Sequence, residues 1–277
     1  MSKQVSAFTN DVLGTNDAVG VAELIKSKKI SAAEAINAAI ERAEKVNSQL
    51  NAFVIKTYEL AKKHVAESSD SILSGIPTVI KDNNQIKGLP TQRGTYAFKA
   101  KNEKKTGKYA TQFLSTGMVP IGKSTMPEFG LLCSVENPNW GITRNPWNTD
   151  STTGGSSSGS SALVAAGVVP IASANDGAGS IRIPSSCCGL VGLKPSRGRL
   201  VHMDGTNLMP INIVCEGVVT RSVRDTAAFF AESEKYFKNK AMPEIGLVQP
   251  ISIKPLRILF FENISKGKLG HIDQDTS

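Results

Sequence analysis

Histidine is scarce in this chain: three in 277 residues, at His64, His202 and His271. The four cysteines, Cys133, Cys187, Cys188 and Cys215, form no CxxC pair and stand beside no histidine pair. A zinc site is therefore not expected, and no other metal or cofactor is signalled; the thiols read as reduced and intracellular. No apolar run approaches the ~18 residues of a membrane span. The opening MSKQVSAFTNDVLG lacks the apolar core of an export signal, so a cytoplasmic protein is expected. Aromatic residues make up 6% of the chain, and the net charge is +8. The densest basic run, Lys99 to Lys108, has only Tyr96, Phe98 and Tyr109 nearby for base stacking. It reads as a solvated loop, and nucleic acid is not an expected partner.

What is present is ordinary globular material, 40% apolar and 20% charged, enough for one large α/β domain or two small ones. Val19 to Val46 has helical periodicity, with Ser31 and Glu34 spaced as a capping box. Short apolar strands are expected at Asn51–Lys56, Gly75–Asn83, Met118–Lys123, Val168–Ser173, Leu190–Lys194 and Arg257–Phe261. Helices are expected from about Thr57 to Glu67, at Tyr109–Gly117, at Ser160–Gly167 and at Arg221–Tyr236, with a turn or short helix at Ser180–Cys188. Cys133 to Thr153, polar and twice Asn-Pro, reads as a loop of about twenty residues. The alternation argues for a mixed, largely parallel sheet covered by helices.

The chemistry concentrates between Gly154 and Pro184, where two Ser/Gly-rich turns bracket an apolar helix and strand. Neither GxxxxGK[ST] nor GxGxxG occurs there, which argues against a phosphate cradle. Gly155 to Gly159 fits G-x-S-x-G, but polar NPWNTDSTT precedes it where a nucleophile elbow needs a buried strand. Two readings of Lys81, at the end of the apolar GIPTVIKDN, remain. Burial could leave it neutral at ordinary pH and able to take a proton from a serine, or it could be a charged partner of Asp82 or another carboxylate.

From Ile80 to about Asp225 the chain resembles the amidase signature family of serine hydrolases. The resemblance rests on GIPTVIKDN, GLPTQRGT, GKSTMPEFG, GITRNPWN, GGSSSGS, NDGAGSIRIPSSCCGLVGLKP and TRSVRD, in that order. The wording is nearest the branch of the 6-aminohexanoate cyclic dimer hydrolase. The resemblance implies an α/β amidase signature fold and a Ser–cis-Ser–Lys centre. Ser180 would be the nucleophile, Ser156 the serine on a cis peptide, and Lys81 the base, with Ser156 and Ser180 24 residues apart. Gly177, Ala178, Gly179 and Ser180 would offer N–H groups to an oxyanion. Asp176 and Arg182 would hold the nucleophile turn, and Ser157 would support the site.

The implied activity is hydrolysis of carbon–nitrogen bonds in small non-peptide amides, with no cofactor and room for a homodimer. Ser158, Ala178 and Asn175 depart from the family's commonest residues without touching the three central positions. Family members are longer, so the resemblance implies a single amidase domain over 1–277. It would comprise a helical segment to about residue 70, a signature core of about 71–236 and a truncated end at 237–277. Two rival expectations are a relic that only binds, and a glutamyl-tRNA(Gln) amidotransferase A-subunit-like protein. Ile183 disfavours the second, standing where those subunits carry glutamine.

Overall fold

The computed structural model describes residues 3–65, 70–137 and 140–249. The chain runs α1 (Ala18–Lys26), α2 (Ala32–Leu50), β1 (Phe53–Lys56), α3 (Tyr58–His64), β2 (Pro77–Lys81), α4 (Lys108–Ser115) and β3 (Val119–Ser124). It continues β4 (Glu136–Asn137), β5 (Gly141–Ile142), α5 (Ser158–Ala165), β6 (Ile171–Asp176), α6 (Arg182–Cys188), β7 (Val191–Gly192), β8 (Cys215–Thr220) and α7 (Val223–Tyr236). The capping box at α2 forms: Glu34 N–H donates to Ser31 Oγ at 3.2 Å, and Ser31 N–H to the Glu34 carboxylate at 2.7 Å. The expected loop after Cys133 contains the small hairpin β4–β5 and a bridge between Arg144 and Thr152. The strand expected at Leu190–Lys194 is confined to β7, and the one at Arg257–Phe261 lies outside the described residues.

Two three-stranded sheets, ordered β1-β3-β2 and β6-β8-β7, carry the architecture. They meet where β2 runs beside β6. There Thr78 Oγ1 donates to Ile171 O and Lys81 N–H to Ser173 Oγ, both at 2.8 Å. The α/β expectation holds, with a mixed sheet, but the balance of directions differs from a largely parallel one. Only β2–β3 is parallel among these sheets' described pairings; β1–β3, β6–β8 and β7–β8 are antiparallel. The reason is topological. The crossover through α6 does make β6 and β7 run the same way, but β8 inserts between them and opposes both. Helix–strand alternation reports the crossover and is blind to the insertion.

Both faces of the central strands are covered. All five residues of β2 and all six of β6 and of β8 are buried. The core gathers Ile36, Val46, Leu50, Ile80, Phe113, Ile121, Leu163, Val218 and Phe229. Close approach of the chain demands glycine at Gly159: a Cβ there would lie 2.4 Å from Ala52 O and 2.5 Å from Thr125 N. That contact seats the first turn of α5 directly on the backbone beside β1 and β3.

Polar clamps tie the ends together. Asp225 in α7 accepts the N–H groups of Ala18 and Val19 at 2.9 Å, so one helix caps another. Asp82 and Lys123 form a buried ion pair at 2.7 Å. Asp82 also accepts from the amides of Gln92 and Arg93, and Lys123 Nζ donates to Pro90 O. This pair holds the 90–93 segment over the C-terminal end of β2.

Candidate active site

β2 delivers Lys81 to the interior, where it is fully buried. The turn before α5 delivers two hydroxyls to the same place. Its Gly155–Ser156 peptide is cis, and Ser156 and Ser157 are both buried. β6 delivers a third partner, Asn175. Lys81 Nζ lies 2.7 Å from Ser156 Oγ, 3.1 Å from Ser157 Oγ and 2.6 Å from Asn175 Oδ1. Asp82 is not its counter-ion, being held by Lys123. No carboxylate among the described residues forms an ion pair with Lys81. Burial depresses its pKa to about 7, against the opposing charges of Glu216 and Asp176.

These contacts assign protons. Ser157 Oγ donates its one hydrogen to Ser180 O at 2.6 Å, so toward Lys81 it accepts. Asn175 Oδ1 also accepts. A neutral amine has two hydrogens and one lone pair. In that neutral state its hydrogens go to Ser157 and Asn175, and the lone pair is left for the Ser156 hydroxyl.

The second turn follows β6. Asp176, buried at the strand end, accepts Gly179 N–H at 2.7 Å and Ile181 N–H at 3.2 Å. It also accepts Arg182 Nε at 2.9 Å and a second guanidinium nitrogen at 3.0 Å. Burial works to raise its pKa, but Arg182 and the amides outweigh it and hold the carboxylate below its ordinary value. Gly179 has φ +123, a backbone only glycine adopts readily, and a Cβ would meet Ile183 Cδ1 at 2.6 Å. The turn opens outward: Ala178 is exposed and Ser180 half-buried.

The structure thus brings Lys81, Ser156, Ser157, Asp176, Arg182 and the Gly177–Ser180 turn into one neighbourhood. Two expectations change. Gly179 N–H is committed to Asp176 because the positive φ turns it back toward the strand end, so it is withdrawn from the set of donors the resemblance implied. No hydrogen bond joins Ser180 Oγ to Ser156 Oγ; the contact between the turns runs through Ser157. Asn175 as a direct partner of Lys81 was not foreseen. The alternation of IASAND, which puts Ser173 and Asn175 on one strand face beside Lys81, was the available signal. Among the described residues no cluster of metal-ligating side chains occurs, and no helix is long and apolar enough to cross a membrane.

Fold and site first define a class: an α/β protein with a buried lysine of lowered pKa beneath two serine-bearing turns. Comparison with known proteins narrows it. The amidase family model matches residues 34–250. AmiC of Mycobacterium leprae (strain TN), a protein assigned as an amidase, is 48% identical over 256 residues, 92% of this chain and 55% of AmiC. The 6-aminohexanoate-cyclic-dimer hydrolase of Paenarthrobacter ureafaciens is 38% identical over 226 residues, 76% of this chain and 44% of that protein. Among solved structures, a bacterial aryl acylamidase of the amidase signature family matches with TM-score 0.72 and 33% identity, over 78% of this chain and 47% of its own. The chain belongs to the amidase family. It spans about half the length of the curated relatives it matches.

Proposed function

We propose that this chain carries the reacting centre of an amidase that cleaves carbon–nitrogen bonds of small non-peptide amides through a serine acyl-enzyme. The observation that carries the reading is Lys81 Nζ 2.7 Å from Ser156 Oγ, with Ser157 and Asn175 placed to accept both hydrogens of the neutral amine. Lys81 takes the Ser156 proton while Ser156 takes that of Ser180. The Ser180 oxygen then attacks the amide carbon.

The amides of Gly177, Ala178 and Ser180 receive the negative oxygen, each such donor contributing roughly 2.7–4 kcal/mol. The proton returns from Lys81 through Ser156 to the leaving nitrogen and the C–N bond breaks. Water, activated by the same relay, releases the acid. The Ser180–Ser156 bond forms in this scheme as substrate binds, since catalytic hydrogen bonds tighten in the loaded complex. Asp176 and Arg182 hold the nucleophile turn, and Ser157 locks its carbonyl.

The relatives' names give an aryl acylamide and a cyclic dimer of 6-aminohexanoate, each of which carries a hydrocarbon part. Exposed Leu132 beside Gly155 and exposed Ile213 beside Gly177 suit such a group. A fluorophosphonate probe tests the assignment. It should label the wild-type chain at Ser180, located by peptide mass spectrometry, and leave Ser180→Ala unlabelled. A folded wild-type chain that takes up no label at any pH favours the binding-only relic.

A further inference from the structure

Glu216 is a carboxylic acid buried in no ion pair, with the backbone amide of Met203 nearby. It lies in β8, is 3% exposed, and neither carboxylate oxygen has a hydrogen-bond partner among the described residues. In the β6–β8 register it stands directly opposite Asn175. Residues so paired project from the same sheet face. Asn175 uses that face to accept from Lys81 Nζ at 2.6 Å. Lys81, Asn175 and Glu216 thus form a row across β2, β6 and β8, with the amide side chain between the amine and the acid.

We propose that Glu216 is a positioning residue of this centre, the counter-charge that governs how readily Lys81 holds a proton. The proposal rests on Lys81 as the base of the amidase reading. The other groups facing the pair do not substitute for it. Asp176, on β6, is committed to Arg182 and to backbone amides. Ser156 and Ser157, from the turn before α5, are neutral. Tyr109, from α4, donates its hydroxyl to Gly217 O at 2.7 Å, and burial raises its pKa well above the ordinary value.

Burial likewise raises Glu216 to about 8, against the pull of Lys81's charge and the Met203 amide, while Lys81 is lowered to about 7. The two therefore titrate over the same range and behave as a coupled pair. During the reaction Lys81 becomes an ammonium in a site shut off from water. Glu216, two strands away, offsets that charge by giving up its own proton as Lys81 gains one, with Asp176 adding a smaller pull.

Glu216→Gln keeps the shape and removes the charge. The Lys81 ammonium then loses a stabilising partner, so its titration midpoint must move down. The full chain, with lysine labelled with carbon-13 at Cε, would be titrated by NMR between about pH 5 and about pH 11. The Lys81 signal is assigned by its loss in Lys81→Arg. We expect the midpoint to fall by about one unit in Glu216→Gln, and the acid limb of fluorophosphonate labelling at Ser180 to move down equally.

An unchanged or raised midpoint in folded Glu216→Gln overturns the proposal. If that variant does not fold, Glu216→Asp is read instead. Its carboxylate retreats by one methylene, so the midpoint falls; an unmoved midpoint overturns the proposal equally. A midpoint that moves in a chain never labelled at Ser180 removes the amidase reading and leaves the charge coupling standing. Labelling with an unmoved midpoint does the reverse.

Discussion

Ser157 Oγ donates to Ser180 O at 2.6 Å while accepting from Lys81 Nζ at 3.1 Å, so one hydroxyl links the buried amine to the Ser180 turn. Two segments 23 residues apart in sequence are held in register by this bond. It also decides which of the amine's neighbours can give up a proton.

Ser157→Ala should therefore slow labelling of Ser180 about tenfold or more while costing only ~1 kcal/mol of stability. It frees the Ser180 carbonyl and leaves an amine hydrogen without its acceptor. Labelling kinetics beside urea unfolding separate the two effects. A variant that labels at the wild-type rate would show the link to be unimportant.

The pH dependence follows from Lys81, with its pKa lowered to about 7. Labelling should rise about tenfold per pH unit below 7 and level off above it, because only the neutral amine accepts a proton. Lys81→Ala should lose that limb and at least about 10²-fold in rate. The same shift acts on stability with a definite sign. Between about 7 and the unfolded value of about 10.4, the unfolded chain binds the proton and the folded chain does not. Wild-type stability should thus climb with pH relative to Lys81→Met across that window, and the gap should be constant below it. Chemical denaturation at stepped pH measures this.

Asp225→Ala should destabilise the fold by about 2 kcal/mol. It leaves the Ala18 and Val19 amides, at the start of α1, without their acceptor, and unsatisfied donors cost ~1–3 kcal/mol. Asp225 lies in α7 and touches neither serine turn, so labelling of the folded variant should be unchanged. Urea titration with the labelling assay checks both halves.

Gly159→Ala should be far more harmful than Gly88→Ala. At Gly159 a methyl would collide with Ala52 O and Thr125 N inside 2.5 Å, backbone atoms that cannot swing away. At Gly88 nothing lies within 4 Å, and only the φ of +84 is strained. We expect a loss of ~3 kcal/mol or more at Gly159 and ~1–2 kcal/mol at Gly88. Because α5 starts at this contact, the Gly159 variant should also lose labelling before it unfolds globally.

Much of the candidate site was legible in the chain. Lys81 at the end of an apolar strand, Ser156 and Ser180 in their two turns, and Asp176 with Arg182 all stand in short contiguous motifs. Local chemistry and family resemblance both mark such motifs. The helices with strong local signals, α2 with its capping box and amphipathic α7, were equally plain. Asn175 against Lys81 was not, since that contact joins residues 94 apart across two strands. The commitment of Gly179 N–H was hidden too, because a backbone donor carries no side-chain signature and its direction depends on a φ of +123.

The order of residues alone determined which groups are available: a lysine among apolar neighbours, serines among glycines, an acid and an arginine six residues apart. Those follow from local periodicity, turn chemistry and composition. Tertiary structure alone decided which protons those groups share. It inserted β8 beside β6, which set Glu216 opposite Asn175, and it gave Asp82 to Lys123, which left Lys81 with hydroxyls and an amide. The physical reason is that burial removes water as the competing partner. Protonation and hydrogen bonding are then settled by whichever atoms distant strands bring within about 3 Å.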